Sequence, residues 1–149
     1  MDRRDIGSWL EGPGAGALGA DQAAVPGLPR EGPGSPAGVG ARFVALLIDW
    51  AASLLVTSLF VPWSDPRHAL VTLAVFAVQA LVGVVLGGGS FGQRLRRLRV
   101  RRVDGDVPPD LPRALLRTVL LVLVLPALVT GRDGRGGHDR AAGTVVVRA

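Results

Sequence analysis

The sequence contains no cysteine, no tyrosine and no lysine, and only two of its 149 residues are histidine. The absence of cysteine excludes a disulfide-stapled fold, a thiolate nucleophile and a cysteine-ligated zinc site. All 17 basic residues are therefore arginine, and with 12 acidic residues they give a net charge of +5. The chain is also 48% apolar, with a mean hydropathy of +0.37, which is atypical of basic soluble domains. Charge and hydrophobicity together indicate a membrane protein if they occupy different segments.

The first 40 residues are rich in glycine and proline and poor in branched apolar side chains. Such a composition buries too little surface to offset the entropy of ordering the backbone. The sequence therefore predicts a disordered cytoplasmic tail over residues 1–40 and a membrane domain over residues 41–149. In the tail, Ile6, Trp9 and Leu10 have the spacing of one helical turn. They are either a docking turn for a protein partner or isolated apolar residues, and the second is the commoner case.

Two long apolar runs follow the tail. Residues 43–63 contain one charged side chain and match the length that crosses a hydrocarbon core of about 30 Å. Residues 69–86 contain only one amide, Gln79, and the short link over residues 64–68 makes the two runs an antiparallel pair. A buried hairpin of a soluble protein is the alternative, but this small chain has too little polar surface to cover both runs. The predicted fold is an all-α integral membrane protein built on a two-helix hairpin.

The segment after the second run, residues 87–113, carries seven arginines against three aspartates. Arginine-rich loops stay in the cytoplasm, so this segment and the tail are predicted inside and residues 64–68 outside. Apolar residues interleave with the arginines, which favours contact with anionic lipid headgroups. Binding of nucleic acid would require more stacking aromatics than the single Phe91, so it is not expected. The arginines predicted at the membrane surface are Arg94, Arg96, Arg97, Arg99, Arg101 and Arg102.

A third apolar run over residues 114–130 contains Arg117 near its start and Pro126 near its end. Two arrangements are open. The run either forms a re-entrant or interfacial hairpin bent at Pro126, which returns residues 131–149 to the cytoplasm, or it crosses and leaves them outside. The net positive charge of residues 131–149 favours the first arrangement.

The polar residues of the two spans are candidate functional residues. Arg42 and Asp49 are almost two helical turns apart, so they share a face, which Ser53 and Thr57 continue. We expect Gln79 to form a hydrogen bond on the same inner face. A carboxylate that faces lipid costs about 3 kcal/mol or more, so Asp49 must face a partner or a wet cavity. It is either a proton or cation site or a buried tether that locks the bundle through a salt bridge or helix N-terminus, and the tether is slightly favoured.

Three blocks of this sequence resemble the RDD family of small bacterial membrane proteins, which is named for one Arg and two Asp. Residues 41–49, ARFVALLID, resemble the family's opening, with Arg ahead of the first helix and Asp within it. Residues 90–100, SFGQRLRRLRV, resemble its cytoplasmic block, and residues 137–147, GHDRAAGTVVV, its closing block. The resemblance covers residues 41–148. It assigns the family's charged trio to Arg42, Asp49 and Asp139.

The resemblance implies a multi-pass protein of the bacterial inner membrane whose general activity is not established. Asp139 is expected to pair with Arg42 or with an arginine of residues 94–102, and so to close the C-terminal segment onto the bundle. His138 beside it either titrates near neutral pH or, as is commoner for a lone surface histidine, is inert. Residues 98–103 and 144–147 are expected to pair as a small cytoplasmic sheet.

No pattern in the sequence indicates an enzyme, a metal site or a cofactor site. The first functional hypothesis is transport of a solute or ion, such as a proton or cation, through a homo-oligomer, because two or three short helices enclose little pathway alone. The alternative is a non-transporting adaptor or scaffold that binds a partner through its tail and its arginine-rich loop.

Overall fold

Helices make up most of the chain that the computed structural model describes, residues 27–123 and 137–149. In chain order the elements are α1 (Val39–Ser58), α2 (His68–Gly87), α3 (Phe91–Leu95), β1 (Leu98–Arg102), α4 (Leu111–Val122), α5 (Gly137–Ala142) and β2 (Thr144–Arg148). The two predicted spans correspond to α1 and α2.

Helices α1 and α2 are each 20 residues long and predominantly apolar. At 1.5 Å per residue, each helix is about 30 Å long, which is enough to cross a bilayer core. Helix α2 ends where Gly88 adopts a left-handed conformation with φ of 69°, which a residue with a side chain rarely adopts. The structure therefore has two helices that are long and apolar enough to span a membrane.

The two long helices pack antiparallel. The rings of Trp50 and Phe76 stack with their centroids 4.9 Å apart in the middle of the pair. At the linked end, Ser58 Oγ lies 3.3 Å from His68 Nε2, and the ring of Trp63 stacks on His68. These contacts join the last turn of α1 to the first turn of α2, as the short link requires.

The distribution of side chains around the helices is inverted relative to a soluble protein. The buried residues of α1 recur every four positions and are small or polar: Ala45, Asp49, Ser53 and Thr57. Its outward residues are large and apolar, and more than half exposed, among them Phe43, Leu47 and Leu55. Helix α4 repeats the pattern, with a buried face of Ala114, Arg117 and Thr118. Polar residues inside and apolar residues outside are the arrangement that a lipid environment favours.

The remaining elements other than α4 form a layer at the end of the hairpin where α1 begins and α2 ends. We call this layer the cap, and it comprises residues 34–37, α3, β1, α5 and β2. Strands β1 and β2 pair antiparallel, with Val100 opposite Val146. Their apolar side chains meet the ends of the helices in a small core. This core contains Ala37, Ala45, Val84, Leu98, Val100, Ala114 and Val146.

Residues 34–37 belong to the cap, although the sequence analysis assigned them to the tail. Gly34 N donates to Arg148 O and Ala37 N to Val146 O, both at 2.8 Å, and Arg148 N donates to Ser35 O at 2.9 Å. The exposed edge of β2 offers these backbone partners, and they offset the entropy that the glycine-rich composition indicated. Residues 1–26 lie outside the described residues.

The C-terminal strand lies at the same end of the hairpin as the start of α1. Strand β2 pairs with β1 on one edge and with residues 34–37 on the other. Helix α4 therefore leads away from the cap, and the chain lies in the cap again at α5. This geometry agrees with the arrangement in which the C-terminal residues return, and not with the one in which they end on the far side. The bend predicted at Pro126 lies outside the described residues.

Candidate functional site

Asp49 lies in the middle of α1 and is buried against the short helix α3. Its Oδ1 accepts a hydrogen bond from Gly92 N at 2.7 Å, and its Oδ2 accepts one from Ser90 Oγ at 2.6 Å. The carboxylate thus sits at the N-terminal end of α3, where unpaired N–H groups favour a negative charge. The interaction is a tether between α1 and the cap.

The N-terminus of α3 is held by three segments of the chain. Ser90 is its N-cap, and Ser90 and Gln93 form a capping box in which each side chain accepts from the other's backbone N–H. Gln79 of α2 also contributes, because its Oε1 accepts from Phe91 N at 3.3 Å. The inner-face hydrogen bond expected of Gln79 is therefore made to the cap.

Gly92 permits this close approach because it has no side chain. A Cβ at position 92 would collide with the carbonyl oxygen of Ala45 and lie 3.1 Å from Asp49 Cγ. Gly83 of α2 has a similar role, since a Cβ there would lie 2.7 Å from Gly89 O. The two glycines let the 89–92 segment lie directly on the backbones of both long helices.

Asp139 forms a second buried site, in which the carboxylate is fully enclosed. Arg117 Nε donates to its Oδ1 at 2.7 Å, and Thr144 Oγ1 donates to the same atom at 3.1 Å. Arg42 Nη1 lies 3.9 Å from Oδ2. The expected contact with Arg42 is therefore present as the longer of two ion pairs, whereas no arginine of residues 94–102 pairs with Asp139 in the described part of the chain.

The principal partner, Arg117, is a residue that the sequence analysis did not assign to the site. It is the largest fully buried side chain among the described residues and anchors α4 to α5. The sequence does contain an indication of this site. An arginine within an apolar run requires a buried anionic partner, just as Asp49 requires a hydrogen-bond donor. No pattern indicated which aspartate would pair with it.

The ionisable groups around Asp139 shift one another's pKa. Burial opposes ionisation of Asp139, but the charge of Arg117, with smaller effects of His138 and Arg42, holds its pKa below the ordinary value. Burial lowers the pKa of His138 to about 4, against the attraction of Asp139, and Arg117 and Arg42 add to the decrease. His138 is thus neutral at physiological pH, and the alternative in which it titrates near neutrality is wrong because the side chain is desolvated.

The family's trio does not form one cluster. Arg42 contacts Asp139, whereas the partners of Asp49 are the neutral donors of α3. Farther along the same face, Ser53 Oγ donates to the backbone oxygen of Asp49 at 2.7 Å. The buried hydroxyl of Thr57 has no hydrogen-bond partner among the described residues.

The six predicted surface arginines divide into two groups. Arg101 and Arg102 pair with Asp106 and Asp104, with N···O distances of 2.8 and 2.7 Å. The other four are exposed and pair with no carboxylate in the described residues. They are Arg94, Arg96, Arg97 and Arg99.

Helices with inward polar faces and outward apolar faces, joined to a cap by two buried aspartates, define a helical membrane protein. The chain belongs to the RDD family, whose model matches residues 36–143. This match confirms the resemblance drawn from the three sequence blocks. No curated protein and no solved structure gives a match to the chain. Ile6, Trp9 and Leu10 lie outside the described residues.

Proposed function

We propose that this RDD protein is a membrane scaffold, in which α1 and α2 anchor the cap at the cytoplasmic face of a bacterial inner membrane and conduct no solute. The observation that carries this proposal is that the carboxylate of Asp49 is fully engaged in hydrogen bonds to the cap. Both of its carboxylate oxygens accept hydrogen bonds, from Gly92 N and from Ser90 Oγ. A carboxylate that relays protons or cations needs access to water or to the next group on the path. Asp49 instead holds α3.

The charge distribution supports a cytoplasmic cap and a multi-pass topology. Among the described residues, Arg67 in the link is the one arginine at the opposite end of the hairpin. All other described arginines belong to the cap, to the first turns of α1 and α4 or to the segments joined to them. An excess of arginine at one end of a helix pair keeps that end in the cytoplasm.

The proposed partner is a protein that binds the segment preceding the cap. Residues 34–37 are hydrogen-bonded along β2, so the segment that precedes them begins at the cap. The spacing of Ile6, Trp9 and Leu10 suits docking of one helical turn into an apolar groove. A photo-crosslinker in place of Leu10 should capture a partner in cells, and the double substitution Ile6→Ala, Trp9→Ala should abolish the crosslink. A crosslink that survives both substitutions contradicts this assignment.

Transport through a homo-oligomer is the second candidate, and one observation favours it. Asp49, Ser53 and Thr57 form a buried polar stripe along α1, and His68 and Thr72 are the buried polar residues of α2. Polar residues inside a membrane helix pair often mark an ion path. However, the hydroxyls of Ser53 and Thr72 donate to the backbone of their own helices.

The substitution Asp49→Asn separates the two functions. An asparagine oxygen still accepts from Gly92 N, and its amide donates to Ser90 Oγ, so the tether is kept while the negative charge is lost. For the scaffold, we expect purified protein in liposomes with an internal pH probe to show no cation-driven proton exchange. Asp49→Asn should then retain the crosslink from position 10, whereas Asp49→Ala should lose stability.

One outcome of the same experiment would contradict the scaffold hypothesis. Cation-driven exchange by the wild type that Asp49→Asn abolishes, with equal insertion and thermal stability, assigns Asp49 to a transport path. Thr118→Ala is the matched control for either result, because it removes a buried hydroxyl bonded to the backbone of its own helix, α4, outside the stripe and without altering charge.

A further inference from the structure

A cavity of about 290 Å³ lies between the end of α2 and strand β1. Its walls include Leu86 and Gly87 from α2, Arg99 and Arg101 from β1, and Asp106 and Val107 from the loop that follows. Because side chains two apart on a strand point to the same face, Arg99 and Arg101 share the face of β1 opposite to Leu98 and Val100. The cavity belongs neither to the Asp49 site nor to the Asp139 site.

The two arginines have donor groups that the protein does not use. Arg99 is exposed and pairs with no carboxylate among the described residues. Arg101 donates through Nη1 to Asp106, but its Nε is buried without a hydrogen-bond partner in the described part of the chain. A third guanidinium, that of Arg94, lies over Gly87, where a Cβ would be 2.9 Å from Nη1. Guanidinium groups present paired donors that match the oxygens of a phosphate.

The rim of the cavity is apolar where it meets the lipid-facing surface of α2. Leu86 is 82% exposed, and Val107 is 54% exposed. The apolar span of α2 ends here, which is the depth at which lipid phosphates lie. A ligand that fits both the arginines and the apolar rim has a phosphate to bind the arginines and acyl chains to contact the rim.

We propose that this cavity binds the phosphate of an anionic phospholipid through Arg99 and Arg101, with an acyl chain along Leu86 and Val107. A lipid site at this position is compatible with either a scaffold or a transporter. Its test is therefore independent of the test of Asp49. It narrows the contact with anionic headgroups from six arginines to the two that line a cavity. The proposal distinguishes a specific lipid site from diffuse attraction of a basic surface.

The experiment measures thermal unfolding of the full chain in a neutral detergent as lipid is added. Dioctanoyl-phosphatidylglycerol should raise the unfolding temperature, whereas dioctanoyl-phosphatidylcholine and inorganic phosphate should do so much less. Arg99→Gln and Arg101→Gln should each require about tenfold more phosphatidylglycerol for the same shift, because each loses a charge-assisted hydrogen bond. Arg96→Gln and Arg102→Gln are the matched controls, since neither residue lines the cavity, and both should behave like the wild type.

Three results would overturn the proposal. Equal weakening in the control variants indicates diffuse surface charge. An equal effect of phosphatidylcholine on the unfolding temperature would show that the site does not require an anionic headgroup. An equal effect of inorganic phosphate indicates an anion site with no role for the lipid chain. Arg99→Gln keeps the test valid if Arg101→Gln does not fold, because Arg99 forms no ion pair within the described chain.

Discussion

The two aspartates of the trio are stabilised by different physical means. Asp49 accepts from a backbone amide and a hydroxyl at a helix N-terminus, so neutral dipoles balance its charge. Asp139 is enclosed with Arg117, and a full opposite charge balances it. Burial of a charge is costly in both cases, and each carboxylate therefore depends on a specific donor. Removing one of these donors should lower the free energy of unfolding by more than removing an exposed residue of the same type.

Gly92→Ala should destabilise the protein by about 1 to 3 kcal/mol, the usual cost of overpacking a tight contact. The added Cβ would meet the carbonyl oxygen of Ala45, so α3 must move away from α1 and lengthen the bond to Asp49. Thermal unfolding in detergent measures the loss. Gly40→Ala is the control, because a Cβ there meets nothing within 4 Å. Equal unfolding temperatures for both variants would contradict the close approach.

Arg117→Gln should cost about 3 to 5 kcal/mol, because it leaves Asp139 buried without its nearest charge. Arg113→Gln is the matched control on the same helix. Arg113 is one-third exposed and pairs with Asp110 and Asp104 at 3.5 and 3.7 Å, so its loss should cost less than about 1 kcal/mol. Urea or thermal unfolding of the two variants gives the comparison. A smaller effect for Arg117→Gln than for Arg113→Gln would refute the assignment of Arg117 to the site.

At the scale of elements, α3 joins the membrane helices to the cap although it has only five residues. A helix this short is not stable alone. Asp49 from α1, Gln79 from α2 and its own Ser90 satisfy its first N–H groups. The helix therefore depends on the correct packing of α1 against α2.

Ser90→Ala should lower stability by about 1 to 2 kcal/mol, since it removes an N-cap and one of the two donors to Asp49. Ser53→Ala, which removes a buried hydroxyl bonded to its own helix, should change stability by less. A double-mutant cycle of Ser90→Ala with Asp49→Ala should give a coupling energy above about 0.5 kcal/mol, because each substitution removes the hydrogen bond between the two side chains. Additive effects in that cycle would show that the two side chains act independently.

Helix α5 carries a pH dependence through His138. Its pKa is about 4 in the folded protein against 6.5 when unfolded, so the unfolded chain binds a proton first as pH falls. Stability should therefore decrease by up to about 3 kcal/mol between pH 6.5 and 4 and be fully present above pH 6.5. Asp139 adds a further loss that begins as pH falls through the ordinary carboxyl pKa and continues down to its lowered pKa.

The substitution His138→Gln isolates this effect. The variant should lack the additional loss of stability between pH 6.5 and 4 that the wild type shows in thermal unfolding. Parallel curves for the two proteins over that range would mean that His138 is not buried as the structure describes.

At the scale of the whole molecule, periodicity and composition were sufficient for the hairpin but not for the contacts between the hairpin and the cap. The lengths of the two apolar runs predicted α1 and α2 within a few residues, and the cost of a buried charge required a partner for Asp49. The partner itself depends on Gly92 and Ser90, which lie 43 and 41 residues away in the chain. The pairing of residues 34–37 with β2 is made by backbone groups, which leave no pattern in side chains.

At this scale, the pairing of β2 with β1 and with residues 34–37 places the C-terminal strand at the same end of the hairpin as the start of α1. Because the chain has no cysteine, single cysteines can be introduced without background labelling. Three exposed positions are suitable, and they are Glu31, Ser64 and Ala149.

Ser64→Cys should react with a membrane-impermeant maleimide in intact spheroplasts, whereas Glu31→Cys and Ala149→Cys should react only after the membrane is opened. The common behaviour of positions 31 and 149 follows from their places beside β2, and the opposite behaviour of position 64 follows from the hairpin. The absolute side tests the orientation that the arginines favour. Labelling of positions 64 and 149 together, without position 31, would require the chain to cross a third time between α4 and α5 and would break the pairing of β2 with β1.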